Sequence, residues 1–356
     1  MLATIVQISS LFQTSDTSIS VVRERPEPIT VAYSPLGGQW SLKTSTQSGI
    51  QRVQIDNLAP GTIYQYTVLD SQLIEDISYM YIPGFNDSFK ILSWGDNQIG
   101  ASVFRSIMNR TFSEGCVQFL GIGDYIQYEG LYSAWRNHFY DQIHPYNRFF
   151  SFIGCRGNHD GQDALAHQLW LTPGNNEWGA VTSGPIRILI VNSNIDRPQF
   201  WYTLNPGGEQ HNYVDQETQS QSWRNSLYRI VVFHHPAFTE QWDGGCYYGP
   251  GNRNPTLVAL MNLLEQRGAS LVLNGHAHSY QRGRIGNMDW VISGGGGGYL
   301  DQRMCWDHPE VFINTGNNSQ IFHYLILDVS TQRLLVESKT TSGQVFDSVA
   351  IWPRRL

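Results

Sequence analysis

The stretch Ser270-Leu-Val-Leu-Asn-Gly-His-Ala-His278 decides how the rest of the chain is read. Its first half is a short continuous apolar run, which suits a strand covered on both faces. Its second half sets two imidazoles on either side of a small residue where that strand stops, so both address one cluster. Just upstream, PTLVALMNLLEQRG (255–268) places Leu257, Leu260, Leu263 and Leu264 at helical spacing and ends on Gly268, which predicts a core-facing helix. The same texture recurs towards the N-terminus. KILSWGD, VQFLGIGD, FFSFIGCRGNHD, RILIVNSN and YRIVVFHH are apolar runs that each break into a polar loop. ASVFRSIMNR, before the second of them, reads as a helix. The tail from Phe322 (HYLILDVS, RLLVESKT, VFDSVAIW) reads as strands of a second sheet. The expectation from about residue 85 to 356 is therefore an α/β fold, a two-sheet β-sandwich flanked by helices.

Residues 1–84 have a different grain. Alternating runs such as SISVVRER, ITVAYSP, GIQRVQID and TIYQYTVLD are separated by Gly, Pro, Asp and Asn. Their even spacing predicts a small all-β sandwich of the fibronectin type III kind, closed at Pro83-Gly84.

Composition narrows the function classes. A chain of 356 residues that is 41% hydrophobic and only 15% charged is too apolar for disorder. Its formal net charge of −7 argues against a dedicated nucleic-acid binder, which normally shows a basic stripe, but not against small phosphorylated substrates, because bound ions supply positive charge locally. No apolar run is long enough to span a membrane as a helix. The opening MLATIVQISSLF lacks a basic n-region and a small-residue cleavage site. Sequons at Asn86, Asn109 and Asn317, a chance-prone pattern, point to a secreted or cell-surface protein. The four cysteines make no C-x-x-C pair, which removes zinc-ribbon and thioredoxin readings; Cys246 and Cys305 are candidates for a disulfide.

The chemistry lies in where the polar residues fall. Five apolar runs end in Asp96, Asp124, Asn158-His159, His234-His235 and His276-Ala-His278. Ligands of α/β sheets bind beyond the carboxyl ends of the strands, so these groups converge. Taken singly, each has an ordinary reading as a helix cap, a turn or a hydrogen-bonded core histidine; taken as a series they do not. Carboxylate, amide and imidazole without thiolate suit Zn, Fe, Mn or a similar ion. Two carboxylates and three or more imidazoles exceed what one tetrahedral ion needs and fit two ions sharing a carboxylate.

The series Gly-Asp96, Gly-Asp124, Gly157-Asn158-His159-Asp160, Val231-x-x-His234 and Gly275-His276-Ala277-His278 resembles the calcineurin-like metallophosphoesterase superfamily from about residue 88 to the C-terminus. The Leu58-Ala-Pro-Gly-Thr-Ile-Tyr-Gln-Tyr strand before it, and Tyr280-Gln-Arg282 after the last block, are similar to purple acid phosphatases. The resemblance implies one ion on Asp96, Asp124 and His278 and another on Asp124, Asn158, His234 and His276. Iron with zinc, manganese or a second iron is the implied pair. It also implies His159 as the acid that protonates the leaving oxygen, and phosphate monoesters as substrates. A phosphodiesterase or nucleotide hydrolase on the same core, and an inactive extracellular binding protein that keeps the fold, are the alternatives.

This chain departs from the subfamily at two positions. The metal-binding Tyr expected three residues after the second Asp is Gln127, with Tyr128 one place later; where the superfamily often has Asp-x-His, this chain has Asp96-Asn97-Gln98. Gln98, through its amide oxygen, and Tyr128 are thus alternative ligands. Arg156, His235, Tyr280 and Arg282 read more simply as paired, core or bracing residues than as substrate contacts. Gly294–Gly298 lacks the Lys-Ser/Thr of a nucleotide loop and reads as a place of close backbone approach. Trp242, Tyr247, Tyr248 and Trp306 are candidates for a pocket wall.

Overall fold

A computed structural model of the chain describes residues 9–24, 27–45, 49–69, 76–144, 146–195, 197–200, 202–240, 254–302, 312–314 and 320–355. Trp242, Cys246, Tyr247, Tyr248, Cys305, Trp306 and the Asn317 sequon lie outside the described residues. The first seven strands are β1 (Ser9–Ser15), β2 (Ser18–Glu24), β3 (Thr30–Pro35), β4 (Ser41–Thr44), β5 (Ile50–Ile55), β6 (Thr62–Leu69) and β7 (Ser78–Ile82). Alternation sends Leu11, Ile19, Val21, Val31, Val53, Tyr64, Tyr66, Val68 and Met80 to one shared core. That core lies between β1-β2-β5 and the antiparallel sheet β4-β3-β6-β7.

Next come β8 (Phe89–Trp94), β9 (Cys116–Gly121) and β10 (Ser151–Gly154), then β11 (Gly179–Ser183), β12 (Ile186–Ile190), β13 (Tyr228–Val232), β14 (Leu271–Asn274), β15 (Tyr280–Ile285), β16 (Met288–Ser293) and β17 (Phe312–Asn314). The chain closes with β18 (His323–Val329), β19 (Leu334–Thr340) and β20 (Val345–Ile351). They build a nine-stranded sheet, β20-β19-β18-β8-β9-β10-β1-β2-β5, and a seven-stranded one, β11-β12-β13-β14-β16-β15-β17. The expected two-sheet sandwich is what the chain forms: Ile91, Leu120, Ile122 and Ile153 of the first sheet meet Ile188, Ile230, Val232 and Leu273 of the second.

Helices cover the outer faces. On the first sheet, Ala101–Met108 and the π-helical turn Trp135–Tyr140 bury Phe104, Ile107, Trp135 and Phe139 against Trp94, Phe119 and Phe152. On the second, Pro255–Gln266 buries Leu257, Leu260 and Leu264, with Leu263 partly buried. Asn254 caps that helix by accepting from Leu257 N.

One feature was not foreseen. The N-terminal strands do not stop at the Pro83-Gly84 turn: β1 pairs in parallel with β10, with Leu11 opposite Ser151 and Phe12 opposite Phe152. Consecutive residues of β1 therefore face different cores, Leu11 that of the sandwich and Phe12 that under the helices. The β1–β2 hairpin also reaches the second sheet, where Asp16 accepts from Thr182 N and from Arg187 Nη1 at 2.7 and 2.9 Å.

Candidate metal centre

Every polar loop named from the sequence leaves a strand at the same end of the two sheets. The loops after β8, β9 and β10 bring Asp96, Asp124 and Asn158; those after β13 and β14 bring His234, His276 and His278. Three of these residues hold left-handed backbone without being glycine: Asp96 (φ 60), Asp124 (φ 56) and His276 (φ 69). Such positions cost about 1–3 kcal/mol each and persist where surrounding structure dictates them. The glycines in front are needed for space. A Cβ on Gly157 would stand 2.1 Å from Asp124 Oδ1, and one on Gly275 would stand 2.4 Å from Asp96 Oδ2.

Hydrogen bonds then fix the side chains. His276 N donates to both oxygens of Asp96 at 2.9 and 3.0 Å. His159 N donates to Asp124 Oδ1 at 2.9 Å and the Gln98 amide to Asp124 Oδ2 at 2.8 Å. His234 Nδ1 donates to the Ile122 carbonyl at 2.9 Å and His278 Nδ1 to that of Tyr299 at 2.7 Å. With Nδ1 so occupied, both rings turn Nε2 inward. His276 Nδ1 lies 3.0 Å from Asn158 Oδ1. Two groups of ligand atoms result, each within 4.8 Å: Asp124, His234 and His276, and Asp96, Asp124 and His278. Asp124 belongs to both.

The donor set fits metal ions. His234 Nε2 is buried 3.2 Å from Asp124 Oδ2 and has no hydrogen-bond partner among the described residues, an arrangement a cation completes. The electrostatics agree. Burial pushes the Asp96 carboxyl up, against the pull of His234 and His278. Burial also acts to raise Asp124, but His234 and His159 outweigh it and hold that carboxyl well below the usual range. Burial would lower His234 and His278, yet the neighbouring carboxylates carry them to about 10 and about 9. Protons on these imidazoles thus occupy the place of positive charge that a metal takes when it displaces them. His276 and His235, buried beside other imidazoles, are pushed the other way, His235 to about 3.

The remaining residues sort by their partners. Gln98 is buried against Asp124, whereas Tyr128 is 58% exposed, its ring 6.2 Å from that of His138. His159 is partly buried, with Nδ1 3.0 Å from the Gln127 carbonyl. Arg156 turns away to pair with Glu177 at 2.8 Å. Tyr280 and Arg282 both bind Asp347 of β20, so they tie the second sheet to the first. Gly294–Gly298 packs backbone on backbone beside the site, Gly296 N donating to Gly95 O and Gly298 N to Asp96 O.

Asp160 closes the Gly157-Asn158-His159-Asp160 block, and its role emerges only from the fold. Its buried carboxylate accepts from four backbone amides, those of Gly157, Asp124, Tyr125 and Ile126, and so joins the loops after β9 and β10. Burial, then the Asp124 charge, raise it to about 7. Its place four residues into Gly-Asn-His-Asp was the available signal. Arg197, also overlooked, donates to the Asn158 carbonyl at 2.9 Å and pairs with Glu129.

The family model for calcineurin-like phosphoesterases matches residues 89–280. No curated protein matches the chain. Among solved structures, the purple acid phosphatase PPD1 from yellow lupin (Lupinus luteus) seeds superposes over 97% of this chain and 74% of its own, with a TM-score of 0.83 at 17% identity. PhoD superposes over 96% and 92%, with a TM-score of 0.64 at 10% identity. GAP50, the anchor in the inner membrane complex of Plasmodium, does so over 75% and 89%, with a TM-score of 0.59 at 16% identity. At these identities the superpositions speak for the fold, and the match over 89–280 speaks for descent. The chain belongs to the calcineurin-like phosphoesterase family.

Proposed function

We propose that the protein is a phosphomonoesterase of the purple acid phosphatase kind, working with two transition-metal ions. The observation that carries this reading is Asp124, whose buried carboxylate is common to two groups of ligand atoms while the buried His234 Nε2 faces it without a partner among the described residues. Asp96, Asp124 and His278 would hold one ion; Asp124, Asn158, His234 and His276 would hold the other. Gln98 rather than Tyr128 completes the first set, because Gln98 already lies on Asp124 and Tyr128 is exposed. Such a pair supplies a water activated near neutral pH and neutralises charge on the phosphoryl oxygens.

The chain's own residues do the rest. Backbone amides of His276 and His159 orient the two carboxylates before substrate arrives. His159 donates from Nδ1 to the Gln127 carbonyl, so Nε2 is the ring nitrogen from which it would offer a proton to a leaving oxygen. Small phosphate esters suit a site whose balancing positive charge would be metal-borne, on a chain of net charge −7.

Elemental analysis of the purified protein, with turnover of p-nitrophenyl phosphate against bis(p-nitrophenyl) phosphate, tests the reading. Two metal equivalents and faster monoester hydrolysis are expected. Faster diester hydrolysis would replace the monoesterase with a phosphodiesterase, and a metal-free, inactive protein would sink the enzyme altogether. A colourless sample is the outcome expected of Gln98; a visible band from tyrosinate on iron(III) would restore Tyr128.

A further inference from the structure

His234 and His235 are adjacent, yet their surroundings fix opposite ring tautomers. His234 Nδ1 faces the Ile122 carbonyl at 2.9 Å, which can only accept, so Nδ1 carries a proton and Nε2 is the nitrogen left to face a cation. His235 Nδ1 instead faces the Ser193 hydroxyl at 2.9 Å. That same hydroxyl accepts from the His235 backbone amide at 2.9 Å. Ser193 is buried in the loop after β12, and among the described residues its proton finds an acceptor only in His235 Nδ1. Were Nδ1 to hold a proton too, the serine O–H would be left unmade in a buried site, a cost of about 1–3 kcal/mol. The hydroxyl therefore donates, and the His235 proton sits on Nε2.

A ring in that state has no lone pair for a metal. Yet it belongs to the site, its centroid 4.3 Å from that of His276 and 5.1 Å from that of His234. None of the described residues accepts from its Nε2, and the side chain keeps 9% of its surface open. A neutral N–H beside a cluster of cation ligands suits the oxygen of an anion that the cations attract.

We infer that His235 donates an Nε2 hydrogen bond to the phosphoryl group of the substrate, with Ser193 as the positioning residue that sets its tautomer. The inference rests on the phosphoesterase reading and adds to it a contact from the chain itself. His235 acts as a fixed donor and transfers no proton, so it complements His159, which gives its proton away.

The test uses the metal-loaded protein and inorganic phosphate as the probe. His235→Phe keeps ring bulk and removes the donor; it should retain two metal equivalents, weaken inhibition by phosphate about tenfold or more, and lower kcat/KM for p-nitrophenyl phosphate about ten- to hundredfold. His235→Gln restores an N–H and should recover part of both losses. Ser193→Ala frees the ring to exchange tautomers and should give a smaller loss, while 15N NMR of the zinc-loaded protein should show the Nε2–H form in the wild type and a mixture in the variant. Unchanged phosphate inhibition in His235→Phe, or an Nδ1–H tautomer in the wild type, overturns the inference. Loss of metal in both His235 variants overturns it as well, by making the residue part of the metal scaffold. A wild type without metal or turnover instead brings down the phosphoesterase reading first, so the two failures are distinguishable.

Discussion

The two large sheets contribute different elements to one site. The nine-stranded sheet brings oxygen, through Asp96, Asp124 and Asn158; the seven-stranded sheet brings nitrogen, through His234, His276 and His278. Each half is held by the other. The Asp96 carboxylate is fixed by a backbone amide of the second sheet's loop, and His234 is aimed by a carbonyl that follows β9 of the first. Neither half-site is formed without its counterpart, so binding geometry and the packing of the sandwich are one problem.

Breaking the oxygen side at its shared member should have the largest effect. Asp124→Asn touches both groups of ligands, and we expect metal content below one equivalent with turnover reduced roughly 10³-fold or more, about 4 kcal/mol of transition-state stabilisation. The nitrogen side divides. His276→Ala and His278→Ala each touch one group, so each should lose one equivalent and keep most of the other, with turnover down roughly 10²-fold, about 2.7 kcal/mol. Elemental analysis of the pair would erase the distinction if both variants came out empty.

A third change leaves the ligands alone and loosens what joins the sheets. Asp347→Ala strips Tyr280 and Arg282 of their common acceptor and should cost about 2–3 kcal/mol in urea unfolding. Native metal content should survive it. The smallest effect is expected from Tyr128→Phe, which removes one hydroxyl from an exposed ring and should leave turnover within about twofold. A larger loss there would return Tyr128 to the oxygen side of the comparison.

What the sequence disclosed follows the reach of its signals. Strand-end motifs were legible because an apolar run and the polar residue that ends it are neighbours in the chain. The helix at Pro255–Gln266 was legible because Asn254, Pro255 and Gly268 punctuate it. The pairing of β1 with β10 was hidden, since partners 140 residues apart leave no local trace and both strands are simply apolar. The choice between Gln98 and Tyr128 was open for the same reason: it turns on how the separate loops after β8 and β9 fold, which bury Gln98 and expose Tyr128. The hydrogen bond that sets the His235 ring was hidden too, because it comes from a serine in the loop after β12.

The continuity of β1 with β10 bears on how this protein can be divided. The family match begins at residue 89, which invites a cut there. A chain started at that point would leave β10 with a bare parallel edge and would strip Phe152 and Trp170 of the Phe12 ring they touch. Unpaired edges of this sort recruit other strands. The sandwich is therefore not a portable module hung in front of an enzyme. It is the selvedge of the catalytic sheet, and the fabric would fray without it.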